Sequence, residues 1–197
     1  MRNFNSLFLF FIIFFSSTTQ VFSISPDKFV QSTVNRASQL LSKDISKDEK
    51  MYQLEIIAKE TVDIKGIGFY TLGSFRKTLD KNQKQEYLTL FEKYFLKSFS
   101  SRLSEWTNPE INVISQNTIN KKYTIVNSIL KGTNERPEVK IDWRIYTKDP
   151  DDPLIRDVII EGLSLARTQK EEFSSIINSN DGDIEALLKN LADFSNK

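Results

Sequence analysis

Asp157 and Glu161 are the residues best placed for chemistry in a chain with no histidine and no cysteine. They stand four apart in Leu154 to Glu161, a segment that reads as a strand, so both fall on one face. A buried carboxylate pair can do acid–base work. The commoner fate of such carboxylates is to pair with Arg or Lys, or to accept bonds from backbone amides. The missing residue types narrow the chemistry further. Without histidine and cysteine the chain lacks the commonest general base, the thiolate nucleophile and nearly all zinc or copper ligand sets. Gly162-Leu163-Ser164-Leu165-Ala166 has the first glycine and the serine of a nucleophile elbow, but neither its last glycine nor a histidine partner. Gly66, Gly68 and Gly73 do not have dinucleotide-loop spacing and follow no strand, so they point to close packing against a neighbour. Lys121-Lys122 and the group Arg76, Lys77, Lys81, Lys84 stand near turns, either as solvated surface or as a docking patch for anionic partners.

The elements that must position these residues begin with a long helix over Asp80 to Trp106. Tyr87, Leu90, Phe91, Tyr94, Phe95, Phe99, Leu103 and Trp106 recur at steps of three and four, which places them on one stripe. Asp80 caps it and Gln83 completes a capping box; Pro109 closes it. A stripe this aromatic either fills a thick core or lines a cavity for something large and apolar. Three helices are expected before it. Ser25-Pro26 opens the first, with Val30, Val34, Leu40 and Leu41 inward. The second carries Met51, Leu54, Ile57 and Ala58, and a shorter third runs from Asp63 to Lys77. After Pro109 the period changes to 2. Strands are expected over Ile111–Ser115, Tyr123–Lys131, Val139–Tyr146 and Leu154–Glu161, in a short-looped antiparallel meander. Val139, Ile141, Trp143 and Ile145 face one way; Lys140, Asp142, Arg144 and Tyr146 face the other. Ser164 then caps a helix with Leu165 and Phe173, and Asp183 caps a last one with Leu187, Leu188 and Leu191. Helices, strands, then helices make an α+β class, with helices on one face of a curved antiparallel sheet.

Composition agrees with a globular fold. The 197 residues are 39% hydrophobic and 27% charged, with a formal charge of +1. That balance argues against a dedicated nucleic-acid binder. Met1 to Ser23 has the build of a secretory signal peptide: Arg2, then the apolar run Leu7 to Phe15, then Val21-Phe22-Ser23 as cleavage site. The apolar run is too short to span a bilayer. With no cysteine, neither a lipid anchor on cysteine nor a disulfide is available, and loss of Arg2 leaves 26 basic and 26 acidic residues. The expected mature unit is 24–197, helical over 24–107, stranded over 110–161 and helical again over 163–195.

Two motifs then carry a resemblance. Tyr70-Thr71-Leu72-Gly73-Ser74-Phe75-Arg76 precedes the Phe-rich helix, and Asp157-Val158-Ile159-Ile160-Glu161-Gly162-Leu163-Ser164-Leu165 precedes Phe173 and a Leu-rich helix. The combination resembles the MlaC-like, or toluene-tolerance, family of periplasmic auxiliary proteins of an ABC transport system. Gly73, Asp157, Glu161, Gly162 and Ser164 match the family pattern. Pro153-Leu154-Ile155-Arg156 and Arg167-Thr168-Gln169-Lys170 depart from it, where the family usually has a Trp and an aromatic, and an Asn-Tyr-Arg-like segment.

The resemblance implies an NTF2-like cone with a helical part, enclosing an apolar cavity for phospholipid acyl chains. It implies a periplasmic carrier without cofactor or metal, one that is not an enzyme. Its partners would be an outer-membrane lipoprotein–porin complex and an inner-membrane transporter with an MCE-domain protein, met only in passing. Ile67, Leu72, Phe75, Phe91, Tyr94, Phe95, Phe99, Leu103, Val126, Ile141, Trp143, Val158, Ile160, Leu163 and Phe173 are the expected cavity lining. The aromatic stripe and the Val139–Ile145 face would then look at each other across it. Two rival readings remain: a small isomerase- or dehydratase-like enzyme using Asp157 or Glu161, and an interaction module whose aromatic stripe is solid core.

Overall fold

The structure, a computed structural model, describes residues 24–134 and 136–196. The leader expected over Met1–Ser23 lies outside the described residues. Local signals set most helix starts. α1 (Pro26–Leu41) begins with proline in its first turn, behind an extended Ser25 whose side chain makes no capping bond. α2 (Lys47–Thr61) is capped by Ser46, which accepts from the Glu49 amide. α3 (Ile64–Thr71) is capped by Asp63, which accepts from the Gly66 amide. α4 (Lys81–Leu103) carries the expected capping box, Asp80 and Gln83 each bonding the other's backbone.

Two helices are shorter than their periodicity predicts. The third stops at Thr71 because Gly73 turns left-handed (φ +57°), and a 3₁₀ turn at Phe75–Lys77 follows. The long helix stops at Leu103, and Asn108 (φ +49°) reverses the chain before Pro109. Trp106 therefore leaves the aromatic stripe; it is exposed, with the Arg136 guanidinium 5.4 Å from its ring centre.

The strands β1 (Ile111–Asn120), β2 (Tyr123–Leu130), β3 (Val139–Tyr146), β4 (Leu154–Ile160) and β5 (Leu163–Ser164) form a curved, unclosed antiparallel meander in chain order. β1 is twice its expected length. Its second half, Gln116–Asn120, has no clean apolar alternation to announce a strand, yet it pairs with β2 past two register shifts. The outer edge of β1 is met by α1. The Gln31 side-chain amide donates to the Ile111 carbonyl and accepts from the Val113 amide, standing in for a neighbouring strand. On the far edge, Val62 bridges Ile155 in parallel and the Asp63 amide donates to the Ile155 carbonyl. α5 (Leu165–Asn178) and α6 (Ile184–Asn196) complete the chain.

The α+β class and antiparallel meander are as expected, but the helix that lies along the sheet is α1. Its first half sets Val30 and Val34 on Val126, Ile145 and Ile155; its second half sets Leu40 and Leu41 on Leu54 and Ile57 of α2. α4 packs chiefly on α2, α3 and α6. Around Phe91, the rings of Tyr87, Tyr94, Phe95 and Phe173 stand 5.8 to 6.5 Å centre to centre.

Tyr87 is fully buried in this cluster, its hydroxyl 2.8 Å from Thr71 Oγ1 and donating to the Gly68 carbonyl at 3.2 Å. Burial pushes its phenol well above the ordinary tyrosine range. Tyr94 is raised too, by desolvation and then by the charge of Glu172. A raised phenol keeps its proton in the native state while the unfolded chain ionises near pH 10. Stability should hold up to about that pH and then fall as pH rises, because the native state binds more protons. Chemical denaturation across alkaline pH in wild type and Tyr87→Phe should show a shallower fall in the variant; equal slopes would assign the effect elsewhere.

Candidate functional site

The site is built where the third and fourth strands fall out of step. Ile145 pairs with Ile155 and Arg144 with Asp157, which leaves Arg156 as the extra residue of a bulge. Arg156 and Asp157 consequently both reach the sheet face opposite α1. On that face Tyr123 and Ile125 of β2, Ile119 of β1 and Arg144 of β3 form the floor of a groove. Tyr70 of α3 and Ala166 of α5 form its wall. The groove is open to solvent along one side, and its volume is about 400 Å³.

Asp157 is 3% exposed and fully engaged. Its Oδ2 accepts from Ser164 Oγ at 2.6 Å and its Oδ1 from the Ala166 amide at 3.0 Å, while Arg144 Nη1 stands 3.6 Å away. Ser164 Oγ in turn accepts from the Arg167 amide, capping α5. The carboxylate thus sits at the positive end of α5, where a negative charge is favoured. This is the structural meaning of the Asp, Glu-Gly, Ser spacing: strand end, tight turn, two-residue return strand and helix cap.

Glu161 departs from the expected geometry. β4 ends at Ile160, and Glu161 (φ +48°) with Gly162 (φ +84°) forms the two-residue turn that pairs Ile160 with Leu163. Two consecutive positive φ values are what a hairpin of right-handed twist requires, and glycine accepts the second without strain. Glu161 is exposed and accepts from the Lys140 amide. The two carboxylates do not share a strand face and serve different backbone groups.

Arg156 fastens the groove floor to α3. Its Nε and Nη2 donate to Asp63 Oδ2, its Nη1 to the Tyr123 hydroxyl at 3.3 Å, and its guanidinium lies 4.4 Å from the Tyr146 ring centre. Gly66 leaves the room for it: a Cβ there would stand 2.5 Å from the guanidinium. Lys170 of α5 sits 5.5 Å from the ring centre of Tyr70, the groove's wall.

The residues expected to line one cavity are distributed over separate places. Ile67, Leu72, Phe91 and Phe173 are buried in the helical cluster, with Phe75, Tyr94 and Phe95 packed on it. Phe99 and Leu103 pack on the α1–α2 cluster. Val126, Trp143 and Val158 belong to the cluster under α1, and Ile141 is buried on their strand face. Ile160 and Leu163 are exposed on the β4–β5 hairpin. Sequence reasoning missed Tyr70, Ile119, Tyr123, Ile125, Arg144, Arg156 and Ala166 as groove residues. The only signal for the strand residues among them was the second phase of the alternation, the one carrying Arg144 and Tyr146; Tyr70 and Ala166 lie on helices and had none. Ala166 joins the two regions, since it belongs both to the groove wall and to the helical cluster.

The site is a helix-walled groove on an open antiparallel sheet in an α+β fold, with Asp157 and Arg156 tied into structure. The chain belongs to the MlaC protein family, whose pattern matches residues 30–193. Its fold is similar to that of a phospholipid-binding protein from Ralstonia solanacearum, solved in complex with a phospholipid. The TM-score is 0.72 at 18% identity, over 87% of this chain and 97% of that one. No curated protein matches the sequence. Among the described residues no helix is long and apolar enough to cross a membrane.

Proposed function

We propose that this chain binds a phospholipid and carries it, as an exported periplasmic protein, between outer-membrane and inner-membrane complexes of the lipid-asymmetry type. The observation that carries the reading is a groove walled by apolar side chains, in a fold whose R. solanacearum counterpart was solved with a phospholipid. Carrying lipid sets a strict energetic condition. One acyl chain of about sixteen carbons is worth on the order of 12 kcal/mol of transfer from water. A carrier must recover nearly all of it, so the chains need a dry apolar surround.

At about 400 Å³ the groove is at the small end of ligand sites, which span roughly 300–1,000 Å³. We take it as the mouth. The inward route passes Ala166 toward Ile67, Phe91 and Phe173, so acyl tails would lodge by parting α3 and α5 from the sheet. On this reading the sequence-expected lining from the helical cluster becomes the inner wall.

Mass spectrometry of an organic extract from the purified mature protein should recover phospholipid. Ile125→Asp places a carboxylate on the groove floor, opposite Arg144, where a bound acyl chain would have to desolvate it. Extracted lipid should fall at least about tenfold, a difference of about 1.4 kcal/mol, with the circular dichroism spectrum unchanged. Wild-type protein that yields no lipid, or a folded Ile125→Asp variant that yields as much as wild type, would overturn the assignment of this groove.

A further inference from the structure

Two arginines line the groove, and their commitments differ. Arg156 is spent on Asp63, the Tyr123 hydroxyl and the Tyr146 ring. Arg144 is not. Its ionic partner is Asp157 at 3.6 Å, beyond hydrogen-bond length, and that carboxylate already accepts from Ser164 and the Ala166 amide. The Arg144 side chain is 40% exposed against 2% for Asp157, so its unused donors face the groove. Asp142, two residues along the same strand face, accepts from Asn127 Nδ2. The N-terminus of α5, otherwise a natural anion site, holds Asp157. A further cation, Lys170 of α5, is seated on the ring of Tyr70, the groove's wall, and lies close enough to Gly73 that a Cβ there would stand 2.9 Å from its Cε.

We propose that Arg144, aided by Lys170 on the Tyr70 wall, holds the phosphate of the bound lipid at the groove mouth and so selects phosphodiester lipids over neutral ones. This rests on the phospholipid-binding reading above and deepens it. A guanidinium presents two parallel donors to two phosphate oxygens, whereas an ammonium acts as a point charge. Ile119, Ile125 and Tyr70 supply the apolar surface immediately below the phosphate. A neutral diacylglycerol meets the same apolar surface but leaves Arg144 without an anion.

The test offers the mature protein vesicles holding phosphatidylglycerol and diacylglycerol of identical acyl chains in equal amounts. Captured lipid is then extracted and weighed by mass spectrometry. Wild type should favour the phospholipid by about tenfold or more, the scale of a charge-assisted pair. Arg144→Gln should bring that ratio close to one while total captured acyl chains change less than about twofold. An unchanged ratio in folded Arg144→Gln overturns the headgroup assignment and leaves the carrier reading standing; wild type that captures neither lipid overturns both. Should Arg144→Gln fail to fold, Arg144→Lys keeps a charge facing Asp157 but loses the fork. Its ratio should fall about threefold, and no fall overturns the proposal. Inorganic phosphate alone, titrated calorimetrically, should give no isotherm; a tight one lost in the variant would assign the residues to the free ion and overturn the lipid assignment.

Discussion

Phe91→Ala should be the most damaging single truncation, lowering stability by about 3–5 kcal/mol. The ring is 1% exposed and touches four other aromatic rings from α4 and α5. Its outer face meets Gly68 of α3 so closely that a Cβ there would stand 2.9 Å from the ring. Removing it leaves a void bounded by three helices, none of which can collapse without shifting the other two. For a chain of this size, each kcal/mol moves Tm by roughly 2–4 °C, so a fall of roughly 6–20 °C is expected by calorimetry. Phe91→Leu, which fills most of the void, should cost about 1–2 kcal/mol. The same measurement separates solid core from cavity lining. A loss under about 1 kcal/mol for Phe91→Ala would mean that the ring already borders empty space in the unliganded protein.

Asp157→Ala should cost about 3 kcal/mol, because the carboxylate supports several groups at once. Its loss leaves Ser164 Oγ and the Ala166 amide without their acceptor and removes the anion from the start of α5. Arg144 is exposed enough to turn to water, so the damage concentrates at the buried side. Asp157→Asn keeps an acceptor of the same shape and should lose about half as much. A Tm within about 2 °C of wild type for Asp157→Ala would show that the α5 start is held by other means. The outcome bears on chemistry too. A carboxylate retained for catalysis would give a variant of normal stability and lost turnover; one retained for structure gives the reverse.

Legibility in the sequence followed the range of the physical effect involved. Asp80 with Gln83, and Ser164, announce helix starts because capping is completed within three residues; the caps at Ser46 and Asp63 emerged only with the structure. Val139–Tyr146 was legible to the residue because strict alternation with charged neighbours leaves one register. The second half of β1 was not, because a polar strand held by its ladder to β2 has no apolar period to read. Glu161 was misplaced because alternation does not reveal where a strand turns, and the Glu-Gly pair that marks the hairpin lies at the segment's end. The family motifs were legible for the same local reason: Asp157, Gly162 and Ser164 operate on one turn and one helix cap.

By itself, then, the chain order of residues determined the α+β class, the meander, the caps of α4 and α5, the absence of histidine and cysteine chemistry and the family. Tertiary structure alone decided where the groove lies. Alternation establishes that a strand has two faces, but which face is sealed depends on helices distant in sequence. α1 closes the Val126–Ile145 side, α3 and α5 only flank the Ile125–Arg144 side, and the aromatic stripe is consumed by α2, α3, α5 and α6. The bulge that brings Arg156 beside Asp157 arises from the mismatch between two strands, and no property of either strand alone contains it.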